Sequence, residues 1–465
     1  MLRTAMYMMM LPSAAMAGAD PPAVAWDAIF AQDDPARRAV LVDAAAKACE
    51  NDPARVRASI AADVAYKPFD AGWGRHSLRV KTGDRTDDVE FHVRVPPGYN
   101  PDEAKSWPLL VLAHGQGSDG PRFGREVTRR LGEAADNYIL LSPTLPGERL
   151  YSGRAYQEQA WLAPLTWARR TLNVDDDRIY ITGYSLGGHH TWHLATMFAH
   201  LWAAAVPMAG VPLFEGSPYV TNLYLSNLAP LPMWAIWGEL DRATAPALGN
   251  VDLCRLADQQ LQRIKAPLFT GTELPGATHL ACWPKGEELT AYLAKHKRTL
   301  APATFTHAFH LPTHARAYYL DALEYTHPPM DIAKGVSAKV EAVKAPTQQQ
   351  LKDAFQATFE RQIFQINATL DTGANSLTIR APGVQKVRLY LYDGMLDLSR
   401  PVTIRFWTST WKGRLAPSAR CLLTHYAATR DATGLVLNEV DLDASGVAVP
   451  RYADKPAPAA RLGAK

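Results

Sequence analysis

Tyr180-Ile-Thr-Gly-Tyr-Ser-Leu-Gly-Gly188 decides how this chain is read. An apolar strand over Ile179 to Thr182 runs into a glycine-flanked corner, and a helix is expected to start near His189. Gly183-Tyr184-Ser185-Leu186-Gly187 fits G-x-S-x-G, in which a strained strand-to-helix turn presents a serine hydroxyl above a sheet. The glycines have a steric job, because strand and helix approach too closely there for side chains two residues either side of the serine. A helix beginning under Ser185 turns its positive end toward any oxyanion forming there.

The strands around this corner repeat its pattern. Pro108 to Ala113, Tyr138 to Ser142, Ala203 to Met208, Met233 to Trp237 and Leu268 to Thr270 are short, continuously apolar runs, as expected of strands buried on both faces. Amphipathic stretches lie between them (127–137, 159–173, 189–200 and 253–265). That alternation predicts a mostly parallel α/β sheet with helices on both faces, over residues 66–300. His76 to Val80 and Val89 to Val95 alternate as strands on either side of a polar turn at 81–88.

The flanks read differently. Residues 18–65 form an N-terminal helical segment, with Asp34-Pro35 and Asp52-Pro53 marking helix starts. Residues 301–449 form a β-rich C-terminal domain: strands are expected at 304–310, 316–325, 364–369, 376–380, 387–392, 402–406 and 435–437, and a polar helix at 348–359. Residues 450–465 are Pro/Ala-rich and read as a disordered tail. Residues 1–17 carry the three-part pattern of a secretory signal: Arg3, an apolar stretch to Ala15, and the small-x-small site Ala15-Met16-Ala17. The expected destination is the periplasm or exterior of a bacterial cell, with no integral membrane segment once the signal is removed.

Composition excludes several classes of function. The chain has 465 residues, 47% hydrophobic and 20% charged, as in an ordinary globular protein. Its 49 basic and 46 acidic residues leave a formal charge of +3, which gives no argument for a nucleic-acid partner. Its four cysteines (Cys49, Cys254, Cys282 and Cys421) fit no zinc spacing. A bridge between Cys254 and Cys282, or four isolated thiols, are both compatible with the sequence.

A serine needs a base, and the base needs an acid to orient it, in the chain order Ser, Asp or Glu, His. Beyond the strand at Trp234 to Trp237 comes Gly238-Glu-Leu-Asp241, on a loop at a strand's C-terminal end. Asp241 is the candidate acid, with Glu239 its rival in the same loop. Asp252 and Asp258 read as the solvated face of the next helix. Glu273-Leu-Pro-Gly-Ala-Thr-His279 offers His279 as the base. The N–H groups of Leu186 and of Gln116, in His114-Gly-Gln-Gly117, are the candidate oxyanion donors. Gly115 to Gly120 also spells G-x-G-x-x-G, but a dinucleotide reading leaves the Ser/Asp/His series unexplained. His189 and His193 stand at i and i+4, a metal spacing with no third ligand in prospect, so no metal and no cofactor is expected. His200, His307, His310 and His314 show no partner pattern. Tyr184, Trp161, Trp234, Trp237 and Trp283 are candidates for lining an aryl or sugar-ester pocket, or for packing in the core.

His114-Gly115, Asp177 to Gly188, Gly238 to Asp241 and Gly276 to His279 together resemble the α/β-hydrolase superfamily. Within it they are similar to secreted esterases of the polyhydroxybutyrate-depolymerase-like and feruloyl-esterase-like type, and to prolyl-oligopeptidase-like hydrolases. Phe198 to Gly210 also resembles the strand after the nucleophile helix in that branch. The resemblance implies the triad Ser185, Asp241 and His279, a hole at Gln116 and Leu186, and a small-molecule or polymer-derived ester as substrate. Gln116 departs from the glycine common at its position. The region 389–402 is similar to β domains appended to some of these hydrolases. A secreted carboxylesterase is the first expectation, a peptidase of the prolyl-oligopeptidase type the second, and a silent binding protein on the same fold the third. Oligomeric state is left open.

Overall fold

A computed structural model describes residues 22–32, 34–63, 66–101, 105–146, 154–213, 221–242, 249–330, 347–446 and 448–452. The signal segment expected over 1–17 lies outside the described residues, as does the tail expected over 450–465 beyond residue 452; at its start Pro450 instead closes a strand paired with Val440, and Arg451 N–H donates to Glu439 O at 2.9 Å.

The centre of the molecule is one eight-stranded sheet. Its strands are β1 (Gly72–Thr82), β2 (Arg85–Val95), β3 (Trp107–Ala113), β4 (Ile139–Pro143), β5 (Val174–Tyr184), β6 (Ala204–Met208), β7 (Met233–Gly238) and β8 (Phe269–Leu274). They lie in the order β1-β2-β4-β3-β5-β6-β7-β8. Strands β3 to β8 are mutually parallel, and the β1–β2 hairpin joins β4 antiparallel. The hairpin strands are longer than expected, because they continue through the polar residues to a turn at Gly83 and Asp84. Gly83 has φ +60°, which a side chain at that position would resist.

Burial explains the apolar runs of the inner strands, but not the one expected at Leu268 to Thr270: β8 is an edge strand, and Leu268 and Thr270 are exposed. On β3, Leu109, Val111 and Ala113 face one core, while Leu110 and Leu112 face the other. Helices α5 (Ala155–Thr171) and α6 (Leu186–Met197) contribute Trp161, Leu165, Trp192 and Leu194 to the first core, which α8 (Asn250–Arg263) also joins. Helices α4 (Gly120–Leu131) and α9 (Gly286–Leu293) cover the second with Phe123, Val127, Leu131, Leu289 and Leu293. A short helix, α7 (Thr221–Tyr224), follows β6.

The N-terminal helices are α1 (Trp26–Phe30), α2 (Pro35–Ala48) and α3 (Pro53–Ala61). Asp34 Oδ1 accepts the N–H groups of Ala36 and Arg37 at 2.8 and 3.0 Å, and Asp52 Oδ1 accepts Ala54 N–H at 2.9 Å. With proline at the first helical position, both aspartates act as N-caps. Their main packing partner is not the sheet that follows them in sequence. They pack on α11 (Ala419–Thr429) at the far end of the chain, where the Trp26 ring meets Tyr426 edge-on at 4.9 Å and Asp63 takes the Tyr426 hydroxyl at 2.7 Å and the Arg430 guanidinium at 2.6 Å.

The C-terminal region contains two five-stranded sheets. One orders β10 (Arg316–Ala317), β11 (Leu320–Tyr325), β14 (Val384–Tyr392), β17 (Val436–Asp443) and β18 (Ala448–Pro450). The other orders β16 (Ser409–Gly413), β15 (Val402–Phe406), β13 (Ser376–Arg380), β12 (Phe364–Asp371) and β9 (Thr304–Phe309). The polar helix expected at 348–359 is α10 (Gln348–Gln362). Buried charges join this region to the central sheet. Asp431 accepts Arg298 Nη1 at 2.8 Å and Arg169 Nη2 at 2.9 Å, and Arg169 also binds Asp176 on β5.

Candidate active site

The corner between β5 and α6 is as strained as its sequence requires. Ser185 sits at φ 58°, ψ −118°, a backbone state that non-glycine residues rarely hold. Its own N–H donates to Met208 O on β6 at 2.9 Å, which fixes the corner against the neighbouring strand. A Cβ on Gly187 would lie 1.8 Å from Ala113 O, and one on Gly183 would lie 2.3 Å from Gly187 O. Both positions are therefore closed to every other residue.

The loops after β7 and β8 are locked together beside this corner. Leu240 N–H donates to Ala277 O at 2.9 Å and Glu239 N–H to Leu274 O at 3.1 Å. A Cβ on Gly238 would come within 2.3 Å of Ala277 O. That close approach carries Asp241 and His279 to the same place. The Glu239 carboxylate turns aside and accepts Gly276 N–H at 2.8 Å. Asp241 is the residue that meets the histidine.

Ser185 Oγ lies 2.8 Å from His279 Nε2, and His279 Nδ1 lies 2.9 Å from Asp241 Oδ2. Asp241 is buried, whereas His279 is partly open to solvent. The hydrogen bond to Asp241 raises the pKa of His279 above its usual value of 6.5, and partial burial opposes that rise. Two supports were not read from the sequence. Asn250 Nδ2, at the start of α8, donates to Asp241 Oδ2 at 3.0 Å and to Ala209 O at 3.3 Å. The Tyr184 hydroxyl donates to the carbonyl oxygen of His279. Nothing local marks Asn250, while Tyr184 was visible only as an aromatic next to the serine.

The loop after β3 rests on the corner. A Cβ on Gly115 would lie 3.1 Å from Tyr184 O and 3.5 Å from Ser185 Cβ, so Gln116 follows directly beside the serine. His114 holds this loop from inside: its Nδ1 donates to Gly115 O at 2.9 Å, and its Nε2 accepts Leu145 N–H at 3.0 Å. Burial lowers its pKa, which keeps the ring neutral for that pair of bonds. The last glycine of the G-x-G-x-x-G stretch has a packing role. A Cβ on Gly120 would lie 2.3 Å from Ser142 O, where α4 starts against β4.

The remaining sequence candidates separate clearly. Trp161 and Trp237 are core residues. Tyr184 and Trp283 stack with centroids 4.6 Å apart beside His279, and Arg130 covers the Trp283 ring at 4.0 Å. Trp234 is half-buried and donates to Thr272 Oγ1 at 2.9 Å. Asp252 is not simply solvated, since it accepts Gly249 N–H at 3.0 Å and caps α8. All four cysteines are buried free thiols, so Cys254 and Cys282 form no bridge. His189 and His193 do not share a ligand: His189 Nδ1 lies against the Val211 backbone, while His193 meets Glu158. His314 also meets Glu158, a partner its sequence context did not reveal.

Strand order, helices on both faces and a strained serine between β5 and α6 together make one known arrangement. The chain has an α/β-hydrolase fold. No family model matches it. A curated bifunctional acetylxylan esterase/xylanase of Neocallimastix patriciarum is 24% identical over 155 residues, which are 33% of this chain and 21% of that protein. The chain thus matches only about a fifth of that relative's length. Similar solved structures include a thermostable esterase, 24% identical, covering 48% of this chain and 63% of its own at a TM-score of 0.38. An S-formylglutathione hydrolase from Staphylococcus aureus is 18% identical, covering 48% and 100% at 0.37. A ferulic acid esterase is 14% identical, covering 48% and 97% at 0.38.

Proposed function

We propose that the protein is a serine hydrolase that cleaves carboxylic esters through an acyl-enzyme. The observation that carries this reading is the unbroken chain Ser185 Oγ–His279 Nε2, 2.8 Å, and His279 Nδ1–Asp241 Oδ2, 2.9 Å. His279 takes the Ser185 proton as the hydroxyl oxygen attacks the ester carbonyl. Asp241 keeps the imidazole in the tautomer that can accept it and stabilises the imidazolium that forms. The N–H groups of Gln116 and Leu186 hold the tetrahedral oxyanion, each worth about 10²–10³ in rate at such sites. His279 then gives its proton to the leaving alcohol, and water repeats the cycle to release the acid.

Esters rank before amides because an alcohol leaves with less protonation than an amine. The acetylxylan esterase named for the matched relative agrees with an ester substrate. A p-nitrophenyl ester series beside peptide anilides separates this reading from a peptidase. Ester turnover that vanishes in Ser185→Ala supports it, and peptide turnover alone would replace it. A folded protein with neither activity would return the binding-protein reading.

Export to the periplasm or exterior is part of the same proposal. It rests on Arg3, the apolar stretch to Ala15 and the Ala15-Met16-Ala17 site. N-terminal sequencing of the protein from fractionated cells tests it, with a mature start at Gly18 expected.

A further inference from the structure

Glu158 on α5, His193 on α6 and His314 in the 3-10 turn Pro312–His314 converge in the interior, outside the Ser185–His279–Asp241 chain. Glu158 is 3% exposed, and His193 and His314 are 1% exposed each. One carboxylate oxygen, Glu158 Oε1, lies 2.7 Å from His193 Nε2 and 2.6 Å from His314 Nε2. The three donor atoms all fall within 4.8 Å of one another. His307 Nε2 donates to His314 O at 2.6 Å and so fixes the backbone that delivers the second imidazole.

A buried carboxylate is costly unless its charge is matched. Among the described residues no Lys or Arg reaches Glu158, and its side-chain partners are the two imidazoles. With these partners the carboxylate charge is matched either by a protonated imidazole or by a bound cation. A divalent cation in place of their Nε2 protons matches it and leaves all three groups coordinated. Two imidazole nitrogens and a carboxylate oxygen, buried and without thiolate, are a donor set suited to zinc.

We propose that Glu158, His193 and His314 bind one Zn²⁺, clamping α5 and α6 to the C-terminal β region. With ligand bonds of about 2.0–2.2 Å, donor atoms around tetrahedral zinc stand about 3.3 Å apart. The carboxylate needs to withdraw by about 0.6 Å from its hydrogen-bonded position, a movement within side-chain rotation. Water or Glu158 Oε2 takes the fourth place. Unlike the i, i+4 pair visible in the sequence, this set takes His193 without His189.

The test uses the full chain, stripped with dipicolinate and titrated with Zn²⁺ against a chromophoric chelator. One equivalent is expected to bind with Kd below about 1 µM, raising the melting temperature and weakening as falling pH protonates the ligands. Co²⁺ is expected to give the visible d–d bands of a four-coordinate site. Glu158→Gln and His314→Ala are each expected to lower affinity about 100-fold or more, while His327→Ala, outside the cluster, keeps one equivalent. No stoichiometric uptake by the folded wild type would overturn the proposal. So would uptake that Glu158→Gln and His314→Ala leave unchanged. Should either variant fail to fold, the wild-type stoichiometry and Co²⁺ spectrum decide alone.

Discussion

The Tyr184 hydroxyl donates a hydrogen bond to the backbone carbonyl of His279, so the residue before Ser185 holds His279 from behind. The serine corner and the histidine loop come from strands β5 and β8, on separate parts of the sheet. This bond joins them directly. Tyr184→Phe keeps the ring stacked on Trp283 and removes that bond together with the hydroxyl's contact to the Trp283 side chain. Its loss is expected to cost about 1 kcal/mol of positioning, or about fivefold in kcat, with fluorophosphonate labelling of Ser185 retained. Steady-state ester kinetics on the two proteins check it.

Asn250 plays a parallel part for Asp241. Asn250→Ala removes a donor from Asp241 Oδ2 and is expected to lower kcat about tenfold while leaving KM nearly unchanged. An equal rise in KM would assign Asn250 to substrate binding instead.

The pH profile follows from the raised pKa of His279. The imidazole must be neutral to accept the serine proton, so kcat/KM is expected to fall as pH drops through a midpoint above 6.5. Asp241→Asn removes the main cause of the rise; its midpoint is expected to move down and kcat to fall by about 10⁴. Stability runs the other way. A raised histidine pKa stabilises the fold below the unfolded value and loses that contribution as pH rises through the folded one. The protein should therefore be most active on the alkaline side of its His279-linked stability.

Asp431 is expected to tie the C-terminal region to the sheet. Burial opposes its ionisation, yet Arg298 and Arg169 hold its carboxyl well below the ordinary range. Asp431→Asn leaves two buried guanidinium groups short of a counter-charge and is expected to destabilise the protein by about 3–5 kcal/mol. The wild-type contribution is present above the unfolded carboxylate pKa of about 3.9 and is lost as pH falls through the folded value. Urea unfolding at pH 7 and pH 3.5 checks both, with the difference between the two proteins shrinking at the lower pH.

The central sheet was legible because β3, β4, β6, β7 and the second half of β5 are apolar on both faces, and Leu109 to Ala113 divides its side chains between two cores as that pattern implies. The serine corner was legible because Gly183 and Gly187 admit no side chain. Loop position left Glu239 a rival to Asp241, and the structure separates them, because Glu239 accepts Gly276 N–H while Asp241 meets His279. Other parts depend on contacts between distant segments. Helix α11 was not expected from the sequence; in the fold it starts at Ser418, whose hydroxyl accepts Cys421 N–H at 3.3 Å. Glu158 and His314 stand far apart in sequence and meet only after the C-terminal sheets have folded against α5.

The most direct test of the account is labelling of the purified protein with a fluorophosphonate, followed by peptide mass spectrometry, alongside p-nitrophenyl acetate turnover. The account expects a single adduct on Ser185, with label and turnover both lost in Ser185→Ala, the latter by about 10⁶. A folded wild type that takes no label, or an adduct on another residue with turnover surviving Ser185→Ala, would contradict it.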